Sequence, residues 1–85
     1  SEVRIYPQLL KNVRVADKKA ARENPTVIKA VEAVAEALGD EGRILVRESG
    51  TEPVIRIMVE ALDDTLCKKY VEQVEDVMKK EQLTV

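Results

Sequence analysis

Two short apolar segments joined by a brief loop limit the possible folds of this sequence more than any other feature. Residues 43–47 read Arg-Ile-Leu-Val-Arg, and residues 54–62 alternate between apolar and polar side chains as a β-strand does. Residues 49–53 contain glycine and proline and are typical of a loop. Because a loop this short connects neighbouring antiparallel strands, the sequence predicts an antiparallel pair.

The alternation in the second segment assigns a face to each of its side chains. One face carries the apolar residues Ile55, Ile57, Val59 and Ala61. The other face carries Arg56, Met58 and Glu60, so Met58 belongs either to a core or to a surface that meets another domain.

A third strand and a first helix precede this pair. Residues 9–16 alternate, with Leu9, Val13 and Val15 on one face and Asn12 and Arg14 on the other. Residues 17–24 are polar and charged, and we interpret them as a connection with some helical turn. Asn24-Pro25 then starts a helix, because asparagine caps and proline suits the first helical position. This helix carries one apolar stripe and ends at Gly39, since glycine is common just past a helix.

The last helix is predicted to begin at residues 63–65, Asp-Asp-Thr, because these residue types can cap the N-terminus of a helix. Its apolar positions at helical spacing are Leu66, Tyr70, Val74 and Val77, flanked by Cys67, Val71 and Met78. We interpret Cys67 as a buried structural thiol rather than a reactive one, since a reactive thiol needs a basic, exposed setting.

The predicted order is strand-helix-strand-strand-helix, with residues 1–85 forming a single domain. Its fold class is α+β, a small, mostly antiparallel sheet of three strands with both helices packed on one face. The other face is open, or buried against something outside this chain. Because the chain starts at Ser1 rather than methionine, we expect a piece of a longer protein, with a processed terminus as the alternative.

Composition removes several classes of function. A net charge of −2 and a pI near 5.2 disfavour a general nucleic-acid binder. The sequence has no histidine, so it offers no imidazole base or ligand, and its one cysteine suits a reducing compartment. No apolar run approaches the roughly 18 residues of a membrane helix and no signal peptide is recognised, so we expect a cytoplasmic protein without a membrane partner.

The loop and its flanking strand ends hold the one concentrated chemical signal. It consists of Arg47, Ser49, Gly50, Thr51 and Arg56. Hydroxyl donors, a glycine that admits close backbone approach and planar guanidinium groups together indicate an oxyanion site. Glu48 and Glu52 would repel such a ligand unless they face away or pair with basic groups. From the residues alone, an ordinary hairpin turn stays open as the alternative.

Residues 47–61 read Arg-Glu-Ser-Gly-Thr-Glu-Pro-Val-Ile-Arg-Ile-Met-Val-Glu-Ala. They resemble the C-terminal phosphate-binding signature of the α-D-phosphohexomutases, Arg-x-Ser-Gly-Thr-Glu-Pro-x-x-Arg. The continuation from Ile57 is most similar to the phosphoglucosamine mutases, whose last domain also begins much as residues 6–15 do. The resemblance implies the fold of the fourth domain of these enzymes, which is like that of the TATA-binding protein.

The resemblance also implies a function. Phosphoglucosamine mutases interconvert glucosamine 6-phosphate and glucosamine 1-phosphate on the route to UDP-N-acetylglucosamine and the cell wall. A phosphoserine with magnesium in the first domain exchanges phosphate, while the last domain clamps the phosphate that is not being transferred. The implied contacts are Arg47, Ser49, Gly50, Thr51 and Arg56, with no catalytic residue and no metal ligand in this chain. Glu48 occupies a variable position, and Glu52 and Pro53 shape the loop.

The catalytic serine, the metal loop and the sugar-selecting loop of these enzymes have no counterpart in the sequence, so we expect the chain alone to be inactive. Its expected partners are a phosphosugar and the other three domains of the same protein. The alternatives are the same domain of a phosphoglucomutase or phosphomannomutase, a free-standing phosphate-binding domain, and a stand-alone interaction or RNA-binding module. The missing sheet aromatics and acidic pI argue against RNA.

Overall fold

The computed structural model describes residues 5–85, so Ser1, on which the expectation of a fragment depends, lies outside the described residues. The elements in chain order are strand β1 (Gln8–Arg14), helices α1 (Lys18–Glu23) and α2 (Pro25–Leu38), strands β2 (Arg43–Glu48) and β3 (Val54–Glu60), and helix α3 (Asp64–Lys80). A single 3₁₀ turn, Gly39–Glu41, lies between α2 and β2.

Strand β3 is the middle strand of an antiparallel sheet with the order β1-β3-β2, which confirms the predicted pair and the α+β class. The side chains of Ile55, Ile57, Val59 and Ala61 are almost completely buried on the face that the helices cover. The alternate residues face the uncovered side. There the register aligns Leu10, Met58 and Leu45 in one row across the sheet.

Helix α2 begins and ends where the sequence predicts. The Asn24 side chain accepts hydrogen bonds from the backbone N–H groups of Thr26 and Val27, and Pro25 occupies the first turn. Gly39 ends the helix with a φ of 54°, a left-handed conformation that glycine adopts without a steric penalty.

Helix α3 presents a slightly different face from the one predicted. Asp63 caps it by accepting from the Leu66 N–H at 2.8 Å. The buried centre of its apolar face consists of Cys67, Val71, Val74 and Met78, and the partly buried flank consists of Leu66, Tyr70 and Val77. The prediction had placed all three flank residues at the centre and three of the four central residues at the flank. The helix packs on α2 as well as on β1 and β3. Contacts with all three elements determine which of the two adjacent apolar stripes of α3 is the more deeply buried.

Helix α1 lies in the segment that the sequence analysis interpreted as a connection with some helical turn. Asp17 caps it by accepting from the Ala20 N–H at 3.0 Å. Its single fully buried side chain is Ala21. One buried position in six residues leaves no apolar periodicity to detect, which is why the predicted order lacks this helix. No helix within residues 5–85 is both long enough and apolar enough to cross a membrane.

Gly42 precedes β2 at a point where no side chain fits. A Cβ atom at this position would lie 2.2 Å from the backbone oxygen of Glu60. Since a backbone oxygen cannot rotate aside, β2 would have to shift away from β3. We expect Gly42→Ala to lower the free energy of unfolding by about 1–3 kcal/mol in urea denaturation. Gly50→Ala is the matched control, because a Cβ there meets nothing within 4 Å; equal losses in both variants would contradict the steric argument.

The Cys67 thiol is buried in the core, as predicted. Its Sγ donates a hydrogen bond to the Pro7 carbonyl oxygen at 3.3 Å, and burial raises the pKa of the thiol above its ordinary value. Only the thiolate is nucleophilic, so a raised pKa keeps the group protonated and inert at neutral pH. We expect iodoacetamide to leave the native chain unmodified and to alkylate it in concentrated urea, as measured by mass spectrometry. Equally fast alkylation of the native chain would show that the thiol is accessible.

Candidate functional site

Two arginines face each other at the loop end of the uncovered sheet face. Arg47 of β2 and Arg56 of β3 are register partners, and both side chains are exposed. Within residues 5–85, neither forms an ion pair with a carboxylate. Like charges directly opposite each other destabilise a strand pair. An anion bound between the two guanidinium groups would relieve that repulsion.

Strand β1 adds polar side chains that the sequence analysis did not connect with the loop. Asn12 is the register partner of Arg56 on its other side, so the row across the sheet reads Asn12, Arg56, Arg47. Arg14 pairs with Val54 and lies at the same end of the sheet. The alternation of β1 had already assigned Asn12 and Arg14 to one face. The sequence did not indicate which strand β1 would pair with, so the position of these side chains beside Arg56 was not predicted.

The hydroxyl of Ser49 organises the loop from inside. Ser49 is the one buried polar residue among those that the structure describes. Its Oγ accepts hydrogen bonds from the backbone N–H groups of Thr51 and Glu52 at 3.4 and 3.2 Å. Its own N–H donates to the Val54 carbonyl at 3.0 Å and closes the loop at its base. Gly50 and Thr51 are exposed on the outside.

Two contacts from outside the loop hold its ends. The Val15 N–H donates to the Pro53 carbonyl at 2.9 Å. The Lys18 ammonium group donates to the Ser49 carbonyl at 2.7 Å. The loop therefore has a defined shape before any ligand binds.

The positions of the two glutamates determine whether their carboxylates would repel an anion at this site. Glu48 is the register partner of Ile55 and lies on the helix-covered face, opposite to Arg47. There its carboxylate forms an ion pair with Arg22 of α1. One carboxylate is thus turned away and neutralised. Glu52 stays exposed at the tip of the loop.

Residues 10–77 match the family model described as phosphoglucomutase/phosphomannomutase, C-terminal domain. The chain belongs to this family. The matched range includes every residue that the sequence analysis proposed as a phosphate contact. The predicted assignment to the phosphohexomutases is confirmed.

Individual relatives agree with this family. The chain is 65% identical over 75 residues to phosphoglucosamine mutase from Lachnospira eligens, covering 88% of this chain and 17% of that protein. N-acetylphosphoglucosamine mutase from Aspergillus fumigatus, solved in complex with glucose 1,6-bisphosphate, superposes with a TM-score of 0.76 at 21% identity, covering 94% of this chain and 16% of the other. The same fungal enzyme, solved in complex with GlcNAc-6P and magnesium, superposes with a TM-score of 0.71 at 23% identity, covering 88% and 16%. At these identities the structural likeness shows the fold.

This member of the phosphoglucomutase/phosphomannomutase C-terminal domain family has a shallow depression beside its arginines. It has a volume of about 220 Å³ and is lined by Leu10, Leu45, Arg47, Arg56 and Met58. Met58 is half-buried at its floor, on the uncovered face of the sheet rather than in the helix-covered core. The depression thus joins a cationic end to an apolar floor.

Family membership also raises the question of magnesium, since a fungal structural relative was solved with that metal. Within residues 5–85, no three acidic, cysteine or histidine side chains come together in a group that could hold a metal ion. The candidate site contains two guanidinium groups, whose positive charge favours an anion and repels a cation.

Proposed function

We propose that this chain, residues 1–85, is the substrate-phosphate-binding fourth domain of a phosphoglucosamine mutase. The complete enzyme would interconvert glucosamine 6-phosphate and glucosamine 1-phosphate in the cytoplasm, for UDP-N-acetylglucosamine and cell-wall synthesis. The observation that carries the proposal is the exposed pair Arg47 and Arg56, which lacks carboxylate partners within residues 5–85 and lies beside a preformed loop. The identity to the Lachnospira enzyme supports the amino-sugar branch.

Each proposed contact has a distinct part in binding the phosphate. Arg47 and Arg56 each offer a planar guanidinium group that can donate two parallel hydrogen bonds to the phosphate oxygens. The negative charge of the phosphate also removes the repulsion between the two guanidinium groups. Thr51 and Gly50 add an exposed hydroxyl and a backbone N–H. Ser49 keeps its one hydroxyl hydrogen for donation while its oxygen accepts from the loop backbone.

The catalytic share of this domain is positioning and charge neutralisation. A clamp on one phosphate holds the sugar so that its other end meets the reacting group, which removes much of the entropic barrier. The phosphoserine and its magnesium belong, by resemblance, to the other domains. No step of the chemistry takes place on a residue of this chain, so the isolated domain is inactive.

The same domain of a phosphoglucomutase or phosphomannomutase is the second candidate, because the family description names both enzymes. The two candidates share the clamp and differ in the sugar, which none of the proposed phosphate contacts recognises. Comparing kcat/KM of the full-length protein for glucosamine, glucose and mannose 6-phosphates separates them.

The first test is a titration of the isotope-labelled chain with glucosamine 6-phosphate, followed by amide NMR. We expect residues 47–56 to shift first, and glucosamine without phosphate to leave them unchanged. Arg47→Ala should weaken binding at least about tenfold, because a hydrogen bond between charged groups contributes about 1.5–3 kcal/mol. Arg43→Ala is the matched control, since Arg43 lies on the same strand and face but near Glu60 at the other end. Shifts confined to the helices would contradict the clamp.

The second test uses the full-length protein that carries this chain. Arg47→Ala should lower kcat/KM by about tenfold or more, since it removes a charge-assisted contact with the substrate phosphate. Arg43→Ala should keep kcat/KM near the original value. Steady-state kinetics on both variants give the comparison, and an unchanged kcat/KM for Arg47→Ala would remove this residue from the site.

A further inference from the structure

Helix α1 contacts the end of β2 and the start of the proposed phosphate-binding loop, residues 49–53. It does so through two side chains that lie one helical turn apart. Lys18 donates to the Ser49 carbonyl oxygen at 2.7 Å, and Arg22 forms an ion pair with the Glu48 carboxylate. Positions four apart lie on the same side of a helix. One face of α1 therefore holds two consecutive residues of the chain where it leaves β2.

The lysine contact also orients an amide on the other side of the same peptide unit. A trans peptide is planar, and its C=O and N–H point in opposite directions; the structure describes no cis peptide. When Lys18 holds the Ser49 carbonyl, the Gly50 N–H must point away from the lysine. Within residues 5–85 this N–H has no hydrogen-bond acceptor, and Gly50 itself is exposed. It is an oriented donor that is available to a ligand.

We infer that Lys18 is a positioning residue of the phosphate site. Its hydrogen bond to the Ser49 carbonyl holds the Ser49–Gly50 peptide with the N–H outward, as a donor for the substrate phosphate. Without this bond the peptide could rotate and present the carbonyl, whose partial negative charge repels phosphate. Arg22 assists by keeping the Glu48 carboxylate on the opposite face. The inference rests on the proposed function, because it assigns the outward N–H to the same ligand.

The experiment compares three variants of the chain with the original sequence. Lys18→Met removes the donor and keeps a similar length, and Lys18→Arg keeps a cationic donor. Lys19→Met is the matched control, because Lys19 is exposed on the same helix and its loss removes the same charge. The free energy of unfolding is measured for each variant. NMR then records the Ser49 carbonyl carbon and Gly50 amide nitrogen shifts without ligand, and the dissociation constant for glucosamine 6-phosphate.

We expect Lys18→Met to move both shifts and to weaken phosphate binding about tenfold, the effect of losing an oriented donor to a charged ligand. Lys18→Arg should restore most of the affinity, and Lys19→Met should stay close to the original chain because an exposed charge is screened. Unchanged Gly50 shifts and affinity in Lys18→Met, with the original chain binding normally, would overturn the positioning role alone. Failure of the original chain to bind the sugar phosphate, both alone and within the full-length protein, would instead overturn the proposed function.

Discussion

The structure depends on burying one face of its central strand. Ile55, Ile57 and Val59 of β3 are almost completely buried on the face that the helices cover. Because side chains alternate, the same packing forces Arg56 onto the uncovered side. A middle strand has neighbours on both edges, so Arg56 lies between Asn12 of β1 and Arg47 of β2. The core therefore determines where the positive charge of the proposed phosphate site lies.

The loop gains its defined shape from the chain itself rather than from a ligand. Ser49 Oγ satisfies two backbone N–H groups from within, and Val15 and Lys18 hold the two ends. Ordering a loop on binding reduces affinity, and a preformed loop avoids most of that cost. The repulsion between Arg47 and Arg56 is the part of the free protein that a phosphate would relieve.

Sequence patterns predicted the local parts of the fold and of the candidate site. The β2–loop–β3 unit and helix α2 depend on neighbouring residues alone, through alternation, a short loop and an asparagine cap. The phosphate signature is equally local. The position of β1 beside β3 depends on contacts between distant parts of the chain, so the place of Asn12 next to Arg56 could not be derived. Helix α1 buries only Ala21 and lacks a periodic signal, so the contacts of Lys18 and Arg22 also escaped prediction.

The alternation of the strands divides the residues of the proposed site into two sets with different tasks. Side chains on the uncovered face, such as Arg47 and Arg56, are free to touch a ligand. Side chains on the covered face, such as Glu48, contact the helices. The two sets meet only where the chain turns from β2 into β3, because the loop backbone is reached from both sides. In the proposed phosphate site, a contact from the helix side would therefore change the affinity for phosphate through the orientation of a peptide, although the lysine that makes it would not touch the ligand.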